Sequence, residues 1–103
     1  MKFSEILMEN IASIILNQLG GNKFKTMTGA KDIYSIDNGL ALKFKGCSKT
    51  NYLKITLSYK DTYIMEFGKI YGDKYKVFKI IDDVYSEDLQ NIFTDITGLY
   101  THL

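Results

Sequence analysis

The stretch YLKITLSYKDTYIMEF, residues 52–67, decides the fold. Leu53, Ile55, Leu57 and Tyr59 fall on one side of an extended chain. Tyr52, Lys54, Thr56 and Ser58 fall on the other. That period of two is the mark of a half-buried strand. Lys60-Asp61 turns the chain, and Tyr63, Met65 and Phe67 resume the apolar side, with Ile64, Glu66 and Gly68 opposite. Two alternating runs joined by a short polar turn predict antiparallel pairing over one covered face.

The pattern extends both ways. Upstream, Ile33–Ile36 and Leu40–Lys45 flank Asp37-Asn38-Gly39, a hairpin signal because Asn and Gly tolerate positive φ. Residues 46–51, GCSKTN, read as a polar loop. Lys23–Thr28 alternates around Phe24 and Thr26 and reads as a further strand, with Gly29 as its turn. Downstream, Gly72-Asp73 turns into a strand over Lys74–Ile81. Its register is ambiguous because Val77 and Phe78 are adjacent and both apolar.

Helices bracket the strands. Residues 4–19 carry Leu7, Ile11, Ile14, Ile15 and Leu19 at helical spacing, with Ser4 as N-cap and Gly20-Gly21 closing the end. Residues 86–97 carry Leu89, Ile92, Phe93 and Ile96, with Ser86 as cap, Gly98 as stop, and Leu99 and Tyr100 tucking back. The expectation is one α+β domain over residues 1–103: an antiparallel sheet of about five or six strands flanked by an N-terminal and a C-terminal helix.

A chain of 103 residues can bury roughly 60–70% of its unfolded surface without disulfides or metal. A single cysteine, Cys47, fits a reducing, intracellular setting. The N-terminal apolar run is interrupted by Glu5, Glu9 and Asn10 and fails as a signal peptide or a membrane span. A cytoplasmic protein of a bacterial host cell, without membrane attachment, is expected.

All thirteen cations are lysine, and they are unevenly placed. Residues 20–80 carry twelve of them against Asp32, Asp37, Asp61, Glu66 and Asp73. Residues 81–103 carry five carboxylates and no lysine. Such asymmetry can steer a partner or drive self-association into a homo-oligomer. It also fits a plain compositional bias toward lysine.

No motif demands catalysis. A Walker loop needs G-x-x-x-x-G-K-[ST], but Gly29 is followed by Ala30-Lys31-Asp32 and preceded five positions earlier by Phe24. One cysteine and one histidine do not make a zinc site. His102 sits next to last, a poor place for a preorganised base. Asp82 and Asp83 are adjacent and diverge on a strand. The expectation is a non-enzymatic protein with no cofactor, metal or catalytic residues.

Two binding constellations stand out. Lys43, Lys45, Tyr52, Lys54 and Thr56, with Lys74 and Lys76, form a candidate face for a partner or for single-stranded DNA or RNA: lysines follow phosphates while a base stacks on the ring. The plain alternative is that lysine guards solvent-facing strands against aggregation. The second set, Asn22, Lys23, Thr28 and Lys31, is a candidate anion-binding edge for a small charged nucleotide. Its plain alternative is a helix end and a turn.

Three stretches, LGGNKFKTMTGAK (19–31), DTYIMEFGK (61–69) and VYSEDLQNIFTDITGLYTHL (84–103), together resemble a group of small proteins encoded by phages and related mobile elements. The ending FTDITGLYTHL is the most specific piece. The resemblance implies an accessory protein acting inside the bacterial host. By analogy, small accessory proteins of that kind often act by binding, including blocking host-defence complexes. No activity, cofactor or site residue follows from it. The leading expectation is a binding module for a host or phage protein. Single-stranded nucleic acid and a charged nucleotide are the alternatives.

Overall fold

The computed structural model describes the backbone of residues 3–101 and the side chains of residues 11–101. Two helices come first: α1 (Phe3–Leu19) and α2 (Gly21–Thr28). Five strands follow: β1 (Lys31–Ile36), β2 (Gly39–Lys43), β3 (Tyr52–Leu57), β4 (Tyr63–Tyr71) and β5 (Lys74–Val84). One 3-10 turn (Ser86–Asp88) leads into α3 (Leu89–Thr97). The sheet is an antiparallel meander in the order β1-β2-β3-β4-β5, with β1 and β5 at the edges. The α+β architecture with helices before and after one antiparallel sheet is the expected one.

The register of β3 and β4 follows the alternation. Leu53 lies opposite Phe67 and Ile55 opposite Met65. All four are buried together with Leu40, Leu42, Ile15, Leu19, Phe24, Leu89 and Phe93 in the core between the sheet and the helices. Phe93 is its hub. The rings of Phe24, Phe44 and Phe67 lie 5.2, 5.1 and 6.2 Å from it, the first two edge-on, as aromatic quadrupoles prefer.

Residues 23–28 are helical, not extended. The period that governs them is four: Phe24 and Thr28 are both buried. The threonines that suggested a strand bond backward along a helix instead. Thr26 donates to the Asn22 carbonyl and Thr28 to the Phe24 carbonyl, a use of β-branched hydroxyls that competes with strand formation. Gly29 (φ 65°) is therefore the left-handed cap of α2, its N–H donating to the Lys25 carbonyl, rather than a hairpin turn. Gly20 (φ 125°) closes α1, whereas Gly21, expected to share that role, opens α2. A Cβ on Gly20 would lie 3.0 Å from the Thr101 carbonyl and 3.1 Å from Gln90 Nε2. Gln90 of α3 in turn donates to the Leu19 carbonyl, satisfying an orphan acceptor at the end of α1.

Smaller expectations also shift. Ser86 makes no side-chain cap; the chain enters α3 through the 3-10 turn. Leu99 packs against the core, but Tyr100 stays exposed. Ile14 is half exposed, while Ile15 and Leu19 are fully buried. The proposed cap Ser4 and the lone His102 lie outside the described side chains. Among the described residues, no helix is long and apolar enough to cross a membrane.

Candidate functional site

The distal part of the β4–β5 hairpin, residues 69–80, carries no residue of the buried core. It turns at Gly72 (φ 63°) and Asp73. Nearly all of β5 is exposed. The ambiguity at Val77-Phe78 is a β-bulge: Gly68 pairs with Val77 and Phe67 with Lys79, leaving Phe78 as the extra residue. A second shift falls between Ile81 and Val84, where Asp83 takes φ 52°. The other edge, β1, is broken in the same way at Asp32, also φ 52°. Bulges carrying an inserted residue disturb the hydrogen-bonding row that another strand would use.

The arm's root is held by the loop at 46–51. Thr50 Oγ1 donates to the Gly68 carbonyl at 2.7 Å. Asn51 uses both ends of its amide on Ile70: Nδ2 donates to the carbonyl at 2.9 Å, and Oδ1 accepts from the N–H at 2.8 Å. The loop thereby imitates another strand beside β4 and brings Lys49 to the arm.

On the outward side, Tyr52, Lys54 and Thr56 of β3 share a face with Lys43 of β2, as the alternation implies. Their surroundings form a closed network. Tyr34 and Tyr52 share a hydroxyl bond of 3.3 Å. Tyr52 meets the Tyr75 ring edge-on at 5.4 Å, and Tyr75 donates to Glu66 Oε2 at 2.6 Å. Lys54 Nζ lies 3.8 Å from the same carboxylate, and Lys43 Nζ 3.5 Å from Asp32. Burial pushes the Tyr52 phenol well above the ordinary tyrosine value, reinforced by Tyr34 and by the Glu66 charge. Burial likewise raises Tyr75, and its hydrogen bond to anionic Glu66 adds to this. Both phenols stay protonated at physiological pH.

The seven-residue face is thus divided. Lys43, Tyr52, Lys54 and Thr56 stay together; Lys74 lines the outward depression at the hairpin end, although its pairing with Tyr71 gives it the phase of Lys76. Lys45 leaves the group, because its side chain lies across Gly29 at the end of α2. Lys76 pairs with Lys69 and belongs to the opposite face; alternation across the Gly72-Asp73 turn puts it out of phase with Tyr75. The proposed anion edge does not assemble either. Asn22 and Lys23 line one side of α2 with Thr26 and Met27. Thr28 is buried with its hydroxyl committed to Phe24, and Lys31 starts β1.

On the reverse side of the arm, Lys49, Lys69, Tyr71, Lys76, Val77 and Phe78 line a depression of about 330 Å³. Lys69 Nζ donates to the Ser48 carbonyl at 3.0 Å, which draws the loop lysine alongside. The lining holds no carboxylate. Lys49, Lys69, Tyr71 and Phe78 escaped sequence reasoning. The available signal was the hairpin register about Gly72-Asp73, which sets Lys69 opposite Lys76. Nothing local in GCSKTN announces that its lysine joins them.

Among the described residues, no group of three or more His, Cys, Asp or Glu side chains is placed to hold a metal ion. Cys47 is a half-buried free thiol packed at the margin of the core. The site and fold define an α+β protein with an exposed two-sided arm. No family model, curated protein or solved structure matches the chain.

Proposed function

We propose that the protein is a phage or mobile-element accessory protein that works inside the bacterial host by binding a macromolecular partner, foremost another protein, rather than by catalysis. The observation that carries this reading is the apolar row along the arm. Tyr75, Val77 and Ile80 of β5, each between 44% and 55% exposed, pair with Ile70, Gly68 and Glu66 on the outward register. Scattered apolar residues on a surface need no explanation, but a contiguous row on one element marks a docking surface. The bulges favour docking through side chains over addition of a strand.

Charge supports the reading. The basic arm precedes a segment carrying Asp82, Asp83, Glu87, Asp88 and Asp95. A partner with the complementary pattern would be oriented during approach. The resemblance to phage-encoded proteins supplies the context and suggests host-defence complexes as one class of partner. The outward-face alternative for single-stranded nucleic acid is weakened because Asp32 and Glu66 already offset Lys43 and Lys54.

The test compares two apolar side chains of similar exposure. Ile80 is 55% exposed on the arm, and Ile14 is 50% exposed on α1. Tagged protein is used to retrieve partners from host lysate. Ile80→Asp is expected to lose the bound species and Ile14→Asp to keep it. Equal retention by both variants would overturn the assignment of the arm.

A further inference from the structure

We infer that the reverse side of the β4–β5 arm is a site for single-stranded nucleic acid, with Lys49, Lys69 and Lys76 on the phosphates and Tyr71 and Phe78 against the bases. This goes beyond the protein-docking reading. Tyr75 and Ile80 face outward, whereas the lysine-lined depression lies on the opposite side, with Val77 and Phe78 at the margin between them.

Three observations carry it. First, the lining is cationic throughout its charged positions. The ion pairs among the described residues are Lys43–Asp32 and Lys54–Glu66, so no carboxylate pairs with Lys49, Lys69 or Lys76, and Lys69 spends one donor on the Ser48 carbonyl. Second, two aromatic side chains stand among those lysines, and both are exposed or nearly half exposed. Cations interleaved with rings that accept a base face are the common arrangement for binding single strands. Third, the lysines are fixed from different segments. Lys69 sits on β4 and Lys76 on β5, in direct register, and Lys49 is held by the loop that Thr50 and Asn51 anchor to β4.

The chemistry also selects the form of nucleic acid. A ring can meet a base face only when that base is unstacked, which a duplex does not offer. Lysine contributes a point charge without the bidentate fork that reads base edges. The site therefore follows the backbone and is indifferent to sequence. The depression is at the small end of ligand clefts, which span roughly 300–1,000 Å³, so one arm holds a short stretch.

The experiment is fluorescence anisotropy of a labelled oligothymidylate against the full chain, at low and moderate salt. Three phosphate contacts on a single strand predict a slope of log K against log salt of about −2. That is roughly a 20-fold loss from about 50 to about 200 mM salt. Lys69→Ala and Lys76→Ala should each weaken binding and flatten the slope by about 0.7. Lys43→Ala and Lys54→Ala, on the outward face, should leave both unchanged. Circular dichroism of each variant establishes that it is folded. Absence of binding at low salt would overturn the inference, as would equal losses from the outward-face variants. Displacement of the oligonucleotide by polyglutamate at equal charge concentration would overturn it in favour of an acidic protein ligand.

Discussion

Gly39 and Gly68 both lack a positive φ, yet each is required by what lies above it. A Cβ on Gly39 would fall inside contact distance of the Ile55 carbonyl oxygen, with Thr56 Cα at 2.9 Å. Backbone inside a sheet cannot step aside. Gly39→Ala should cost about 3 kcal/mol, the upper range for overpacking, measured by denaturant unfolding. A Cβ on Gly68 would first meet the far end of the Tyr75 ring, which must swing outward and loosen its bond to Glu66. Gly68→Ala should cost about 1 kcal/mol, because the strain is partly offset by relief of the glycine penalty in a strand. The sequence marks Gly39 as a hairpin glycine, which is correct in place but not in cause. Asn38 (φ 56°) takes the left-handed turn position, and Gly39 clears the way for β3.

The raised phenols of Tyr52 and Tyr75 set a pH dependence at the same scale. The folded state keeps their protons above the ordinary value of 10.0, whereas the unfolded chain releases them there. Their stabilising contribution is therefore complete below about pH 10 and is lost as pH rises toward the folded values. The melting temperature should fall across that alkaline range, and Tyr75→Phe should make the fall shallower. An unchanged slope would mean that the tyrosine network makes no difference between folded and unfolded states.

At the scale of elements, α3 contributes most through one residue. Phe93 receives rings from α2, from the segment after β2, and from β4. Phe93→Ala should cost about 3–5 kcal/mol, a large share of the roughly 5–15 kcal/mol typical of a domain. Ile14→Ala on the exposed side of α1 should change stability by about 0.5 kcal/mol or less. Chemical denaturation of both variants measures the contrast. Elements with one dominant period were legible in the sequence: β3, β4 and the stripe of α3. Two were not. In α2 only eight residues carry the pattern, and Phe24, Thr26 and Thr28 satisfy a two-residue period as well as Phe24 and Thr28 satisfy a four-residue one. In β5 the inserted Phe78 breaks the period, so alternation alone cannot assign faces beyond it. Lys76 lies before that break, and its face follows from the Gly72-Asp73 turn, which pairs it with Lys69.

For the whole molecule, the charge asymmetry of the chain resolves into placement. Lysines on the outward face meet Asp32 and Glu66, and among the described residues those lining the reverse side of the arm meet no carboxylate. The helices cover β2, β3 and the first part of β4 on one face, and the core fades toward β5, whose only buried residue is Val84. What composition could announce was an excess of lysine between residues 20 and 80. Where that excess stays unopposed depends on strand register and on a loop held 19 residues away in sequence by Asn51. Function follows the same division in this account: the covered region supplies stability and the arm supplies contact.

The most direct measurement of that claim places a photoreactive side chain at position 80 and, separately, at position 14, and maps the adducts formed in host cells. The account predicts one discrete protein adduct from position 80 and none of the same identity from position 14. The same adducts from both positions, or an adduct from position 14 alone, would contradict it.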